Sequence, residues 1–281
     1  MHNAEAPRNN SWEANLELQF AAVDGCSILA ARRHDGPLVV QKTLHPEGAA
    51  ICHAIIVHPP GGIAGGDCLS LTAGIGTGAH ALLTTPGAGK WYKANGLIAS
   101  QALAFTLEEN AVLEWFPQET IIFDAAQALL TTYVELAPEA RYAGWEIVCL
   151  GRQAAGEKFT VGRLRQRTQM LRVGKPIWGE FSDLQGGDAL LASPVGLNGC
   201  AVTATFVVAA GLTPPKVLEA CRAVSPQDDA AWGVTVLPEV FAARYLGNSA
   251  QSARYYFEEL WAILRPWYAG QDARRPRIWN T

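Results

Sequence analysis

From residue 16 to about residue 212 the chain is written in short apolar runs, each cut by Gly, Pro or Asn before it reaches helical length. They fall at 16–20, 51–57, 81–85, 111–116, 129–136 and 203–209. Several stretches alternate with period two, as in Leu69-Ser70-Leu71-Thr72 and Thr132-Tyr133-Val134-Glu135-Leu136. Side chains two apart share one face of a strand, so this spacing predicts a mainly β fold.

A weak recurrence organises the strands further. Pro46-Glu47-Gly48-Ala49, Gly76-Thr77-Gly78-Ala79, Glu108-Glu109-Asn110-Ala111 and Ala137-Pro138-Glu139-Ala140 each lead from a turn through an alanine into a strand. The alanines lie 30, 32 and 29 residues apart. Recurrence in a window of roughly 20–50 residues is what stacked supersecondary units produce. Chance likeness of β-turns is the competing explanation. A real repeat predicts a layered, β-helix-like stack with equivalent turns along one edge.

About two helices are expected near the C-terminus. Thr213 caps the first, Pro214 and Pro215 fill its opening turn, and it runs over 216–223. The second spans 249–264, with Tyr256, Phe257, Leu260, Trp261 and Leu264 in one stripe and Pro266 bounding it. That stripe packs on the β body or lies against another protein. The partner reading takes Tyr256, Trp261, Trp267 and Trp279 as its contacts. The expected organisation is a flexible segment 1–15, then one domain over 16–281 with a β body (16–212) and a mixed part (213–281).

A net charge of −4 argues against nucleic acid, whose phosphates are held by clustered Lys and Arg. The longest apolar stretch, 201–212, falls short of the ~20 residues of a spanning helix, so no membrane is expected. Six scattered cysteines form no C-x-x-C pair and read as reduced thiols in the cytoplasm. Charged residues make up only 17% of the chain, which with the apolar C-terminal helix predicts poor solubility in isolation.

Known catalytic and phosphate motifs fail on spacing. Gly89-Lys90 is followed by Trp91 where a phosphate loop needs Ser or Thr. Asp67 follows Gly66 where that loop needs Lys, and its charge would repel phosphate. No G-x-S-x-G and no H-E-x-x-H occurs.

The segment His58-Pro59-Pro60-Gly61-Gly62-Ile63-Ala64-Gly65-Gly66-Asp67 stands apart. The prolines fix the backbone after His58, and four glycines permit positive φ and close approach of another backbone. Cys52, His53, His58 and Asp67 are ligand types suited to nickel or zinc, at a spacing that matches no closed four-ligand site. The alternative is a strand–strand turn in which Asp67 satisfies turn amides.

This segment closely resembles the signature of the UreD family of urease accessory proteins. Leu82-Leu83-Thr84-Thr85-Pro86-Gly87-Ala88, Leu113-Glu114-Trp115-Phe116-Pro117-Gln118-Glu119-Thr120 and Gly144-Trp145-Glu146-Ile147 look like the same pattern. So does the closing Pro276-Arg277-Ile278-Trp279-Asn280-Thr281. The chain departs from that pattern at Cys68, at Gly89 and over 182–190.

The resemblance implies a helix-poor, β-helical fold and a non-enzymatic role. It implies assembly with UreF and the GTPase UreG on apo-urease for nickel insertion, with no tightly bound cofactor and nickel only in transit. A transit route needs ligands that release: each tenfold tightening adds about 1.4 kcal/mol to the cost of letting go. Asp67, Glu119, Asp124 and Glu146 are therefore its candidate carboxylates, with Cys52, His53 and His58 beside them and Thr84, Thr85 and Gln118 as neutral lining. Asp67, rather than His58, is the expected metal contact. A docking scaffold without a metal path, or a hydrolase, are the competing functions.

Overall fold

A computed structural model describes residues 11–280. Its strands form two facing sheets. Sheet A contains β1 (Glu13–Val23), β2 (Cys26–Asp35), β5 (Cys68–Ile75), β8 (Ala99–Leu107), β11 (Gln127–Leu136), β13 (Arg163–Arg172) and β14 (Lys175–Gln185). They lie in the order β14-β13-β11-β8-β5-β1-β2. Sheet B contains β3 (Val39–Leu44), β4 (Cys52–Val57), β6 (His80–Thr84), β9 (Val112–Phe116), β12 (Arg141–Leu150), β15 (Val202–Ala209), β16 (Ala231–Val236) and β17 (Val240–Gly247). The short strands β7 (Gly89–Trp91) and β10 (Thr120–Ile122) attach to its margin.

The chain climbs by alternating sheets, β5 to β6, β8 to β9, β11 to β12, so neighbours within each sheet run parallel. This is the solenoid-like stack expected from the recurrence. Val112 N–H donates to Ala79 O and Arg141 N–H to Ala111 O, both at 2.9 Å, which places Ala79, Ala111 and Ala140 above one another. All three are buried. Ala49 does not belong to that column. Cys52 pairs with Ala81, which sets Ala50 opposite Ala79 and leaves Ala49 exposed.

One apolar core fills the space between the sheets. A second lies on the other face of sheet B, under α3 (Ala250–Ala269). Strands of sheet B are thus buried on both faces, which explains their near-continuous apolar runs. Along β12, Ala143, Trp145 and Ile147 meet α3, while Tyr142, Gly144 and Glu146 face sheet A.

The two helices expected near the C-terminus are α2 (Pro215–Arg222) and α3, preceded among the described residues by the four-residue α1 (Ala189–Ala192). One expectation is corrected: α3 runs through Pro266 to a left-handed cap at Gly270. Arg265 and Tyr268 are both anchored in the core, and these contacts hold the helix across the missing proline donor. Ser249 caps its start by accepting from Ser252 N–H at 3.1 Å.

Of the segment expected to be flexible, residues 1–10 lie outside the described residues, and Glu13 to Asn15 already belong to β1. Sheet B crosses the expected boundary at 212, since β16 and β17 continue it beside β15.

Candidate functional site

Between the sheets the apolar core gives way to polar cavities. One, of about 300 Å³, lies beneath the glycine-rich turn and is lined by His58, Thr85, Gln118, Trp115 and Glu146 among apolar neighbours. A second, of about 70 Å³, is lined by Thr132, Gln166, Thr168, Thr203 and Thr205, again with Trp115 and Glu146. A water needs about 10–15 Å³ of such space, so the smaller chamber accommodates a few waters or a partly hydrated ion. Trp115 and Glu146 line both, so these two side chains stand between the chambers. Thr168, Trp178 and Glu180 then line both the small chamber and an open groove beside Phe181 and Leu237.

Glu146 is half-buried on the inner face of β12. Gln166 donates to its Oε2. Burial, then the negative charge of Glu180, push its carboxyl up to about 7. Glu180 is held differently: Arg244 Nη1 donates to its Oε1 at 2.5 Å, and the Arg244 guanidinium lies over the Trp178 ring. His58 Nε2, Trp115 Nε1 and Gln118 Nε2 border the larger chamber and are buried without a hydrogen-bond partner among the described residues. Burial lowers the His58 pKa, against the pull of the Asp67 charge.

The sequence-derived candidates scatter. His58, Thr85, Gln118 and Glu146 come together at the larger chamber. Asp67 is buried at the turn before β5, where its Oδ1 accepts from Trp12 N–H (2.7 Å) and its Oδ2 from Ala64 N–H (2.8 Å). Asp124 accepts from the Thr160 and Val161 amides, which hold its carboxyl below the usual range despite some burial. Glu119 is paired with Arg254 of α3 at 2.7 Å. His53 Nε2 lies 2.7 Å from Glu47. Thr84 faces α3, donating to Phe116 O and accepting from Trp279 Nε1. Cys52 sits in the inter-sheet core, where burial raises its thiol pKa. Among the described residues no three His, Cys, Asp or Glu side chains are grouped to hold a metal ion.

The aromatic candidates are corrected. Tyr256, Trp261 and Trp279 are buried against sheet B, with Trp267 partly buried beside them. The stripe of α3 covers the sheet and presents no free face. Sequence reasoning missed Glu180, Gln166 and Trp178. The signal was present in Trp178-x-Glu180-x-Ser182, three period-two positions of β14 that share the cavity face.

A family model described as the UreD urease accessory protein matches residues 13–280. The chain belongs to that family. It is similar to the urease accessory protein UreD of Methylobacillus flagellatus, 53% identical over 96% of this chain and 95% of the relative. The UreD of Dechloromonas aromatica is 52% identical over 96% and 95%, and that of an Azoarcus species 48% over 96% and 94%. Membership of the UreD family supports a role in urease maturation. No helix among the described residues is long and apolar enough to cross a membrane.

Proposed function

We propose that this chain acts in the cytoplasm as an assembly factor for urease, joining UreF and the GTPase UreG on apo-urease. We further propose that nickel passes between its two sheets. The observation that carries the route is Glu146, a carboxylate shared by two interior chambers in an otherwise apolar core. Its one hydrogen-bond partner, Gln166, is neutral, and no cation pairs with it among the described residues. This half-buried carboxylate is left uncompensated, which argues for a role beyond packing. Threonine hydroxyls and Glu180 continue the polar lining toward the outer groove. Such a lining binds a divalent cation through few, exchangeable oxygens, which suits transit better than storage. The larger chamber adds His58 Nε2, an open ligand atom when the ring is neutral. Asp67 and Asp124 contribute to the scaffold instead, since both oxygens of each already accept hydrogen bonds, and Glu119 lines neither chamber and pairs with Arg254.

The test is urease activation with Glu146→Ala and Glu180→Ala, with capture of UreF measured on the same preparations. The expected result is activation reduced at least tenfold with UreF capture unchanged. Normal activation by folded variants would remove the route and leave a docking scaffold.

A further inference from the structure

β14 is the outermost strand of sheet A, and ten of its eleven residues pair on one side only, with β13, Ile177 bulging out of the ladder. Among the described residues no backbone hydrogen bond joins residues 176–184 to any other segment. An edge of that length is a template for another strand unless charge or cover blunts it. The opposite edge of the same sheet is blunted: β2 carries Arg32, Arg33, His34 and Asp35 in succession. On β14 such protection is confined to its start, Lys175, Pro176 and the bulge at Ile177, and the edge from Trp178 onward carries Phe181, which is 69% exposed.

The charge around this edge opposes that of the chain. Residues 163–185 hold five basic side chains against two acidic ones, in a protein of net charge −4. Both acidic groups are engaged, Asp183 with Arg163 at 2.6 Å and Glu180 with Arg244 at 2.5 Å. Arg167 and Lys175 have no ion-pair partner among the described residues, and Arg167 lies across from Phe181 in the strand register. An exposed aromatic beside an unpaired arginine is the composition of an interface hot spot.

We propose that β14 is a docking edge for an extended, carboxylate-bearing segment of a partner protein, which adds as a further strand of sheet A. Unpaired backbone amides and carbonyls select a peptide rather than a nucleic acid, because they hydrogen-bond a strand in register. Arg167 and Lys175 select acidic residues in it, and Phe181 supplies the apolar anchor. The edge borders the outer groove, so the docked segment covers the end of the cavity series beside Glu180. The inference depends on the maturation reading only for which proteins to try.

Hydrogen–deuterium exchange of the full chain, alone and mixed with purified apo-urease or UreF, reads the edge directly. Exchange over residues 175–185 is expected to slow at least tenfold with one of them, with residues 26–35 unchanged as the internal control. Phe181→Asp and Arg167→Glu should weaken that partner at least tenfold, while Phe181→Leu and Arg167→Lys retain it. Exchange across the rest of the chain reports whether each variant is folded. A complex that forms while residues 175–185 exchange as in the free chain overturns this edge and leaves the maturation reading standing. Absence of any complex overturns both. Slowing by a single-stranded oligonucleotide, and by neither protein, replaces the peptide with nucleic acid and also overturns the proposal.

Discussion

The Arg265 guanidinium donates to both oxygens of Glu114, Nε to Oε1 at 2.9 Å and Nη2 to Oε2 at 2.8 Å, with both side chains fully shielded from solvent. The pair joins α3 to β9, and it is not isolated. Arg265 also donates to Glu47, which contacts His53. Glu114 takes further bonds from Trp261 Nε1 and Tyr268 O–H and contacts His80. Despite the burial that opposes it, His80 and then Arg265 hold the Glu114 carboxyl far below its usual range. Removing one member of a buried pair leaves the other uncompensated, at a cost of about 3–5 kcal/mol. Arg265→Met should lower stability by that amount in denaturant unfolding. A loss below about 1 kcal/mol would show that α3 is held by its apolar stripe alone.

Glu146 predicts a pH dependence of opposite sense to that of an ion-paired carboxylate. Its carboxyl titrates near 4.5 in the unfolded chain and at about 7 in the fold. Between those values the folded state holds a proton that the unfolded state has lost. Stability from this group is therefore present below about 4.5 and falls as pH rises toward 7. Glu146→Gln keeps an acceptor for Gln166 and removes the titration. Thermal melts at pH 5 and pH 8 should show the variant gaining on the parent chain at the higher pH. Parallel melting curves would mean that Glu146 is solvated well enough to ionise freely.

Within the glycine-rich turn Gly65 is the position of close backbone approach, while Gly61 and Gly66 adopt positive φ, and the approach can be checked by substitution. A Cβ on Gly65 would lie 2.3 Å from Ala94 O and 2.8 Å from Ala94 Cα, both backbone atoms. Gly87, in the other loop bordering the larger chamber, has open space around the same position and no positive φ. Gly65→Ala should destabilise by at least about 1–3 kcal/mol, the range for overpacking, while Gly87→Ala stays within about 0.5 kcal/mol. Equal effects in urea unfolding would refute the close-approach explanation.

The stack was legible because its turns repeat in sequence: the alanine spacing located Ala79, Ala111 and Ala140 in one column. The fourth alanine missed because its turn joins β3 to β4 antiparallel within sheet B. The other three turns cross from sheet A to sheet B, so the look of the motif recurs without its place in the stack. The site was less legible. In a strand buried on both faces, period-two alternation carries no contrast between core and solvent. Trp145 and Glu146 are adjacent and both enclosed, one toward α3 and one toward the cavity. Nothing local distinguishes Glu146 from Glu119, which faces Arg254 instead. That partner lies 135 residues away in sequence, beyond any spacing argument. Pro266 misled for the same reason, because the contacts that carry the helix past it come from β9 and from Glu47.

Asp67 separates scaffold from route most sharply. It precedes β5, and its two oxygens each accept one backbone amide, from Trp12 at the start of β1 and from Ala64 within its own turn. Asp67→Ala leaves both donors without this acceptor in a site that is 1% exposed. The donors belong to exposed Trp12 and Ala64, where water can replace the lost acceptor, so the variant should lose about 1–3 kcal/mol in denaturant unfolding. Asp67→Asn keeps one acceptor oxygen and should lose less. If Asp67 only fastens β1 to the turn, Asp67→Asn that remains folded should support urease activation close to that of the parent chain. Glu146→Ala, folded to the same extent, should not. Assaying both at a temperature where each is folded by circular dichroism makes the comparison direct. Loss of activation by folded Asp67→Asn would return Asp67 to the metal path.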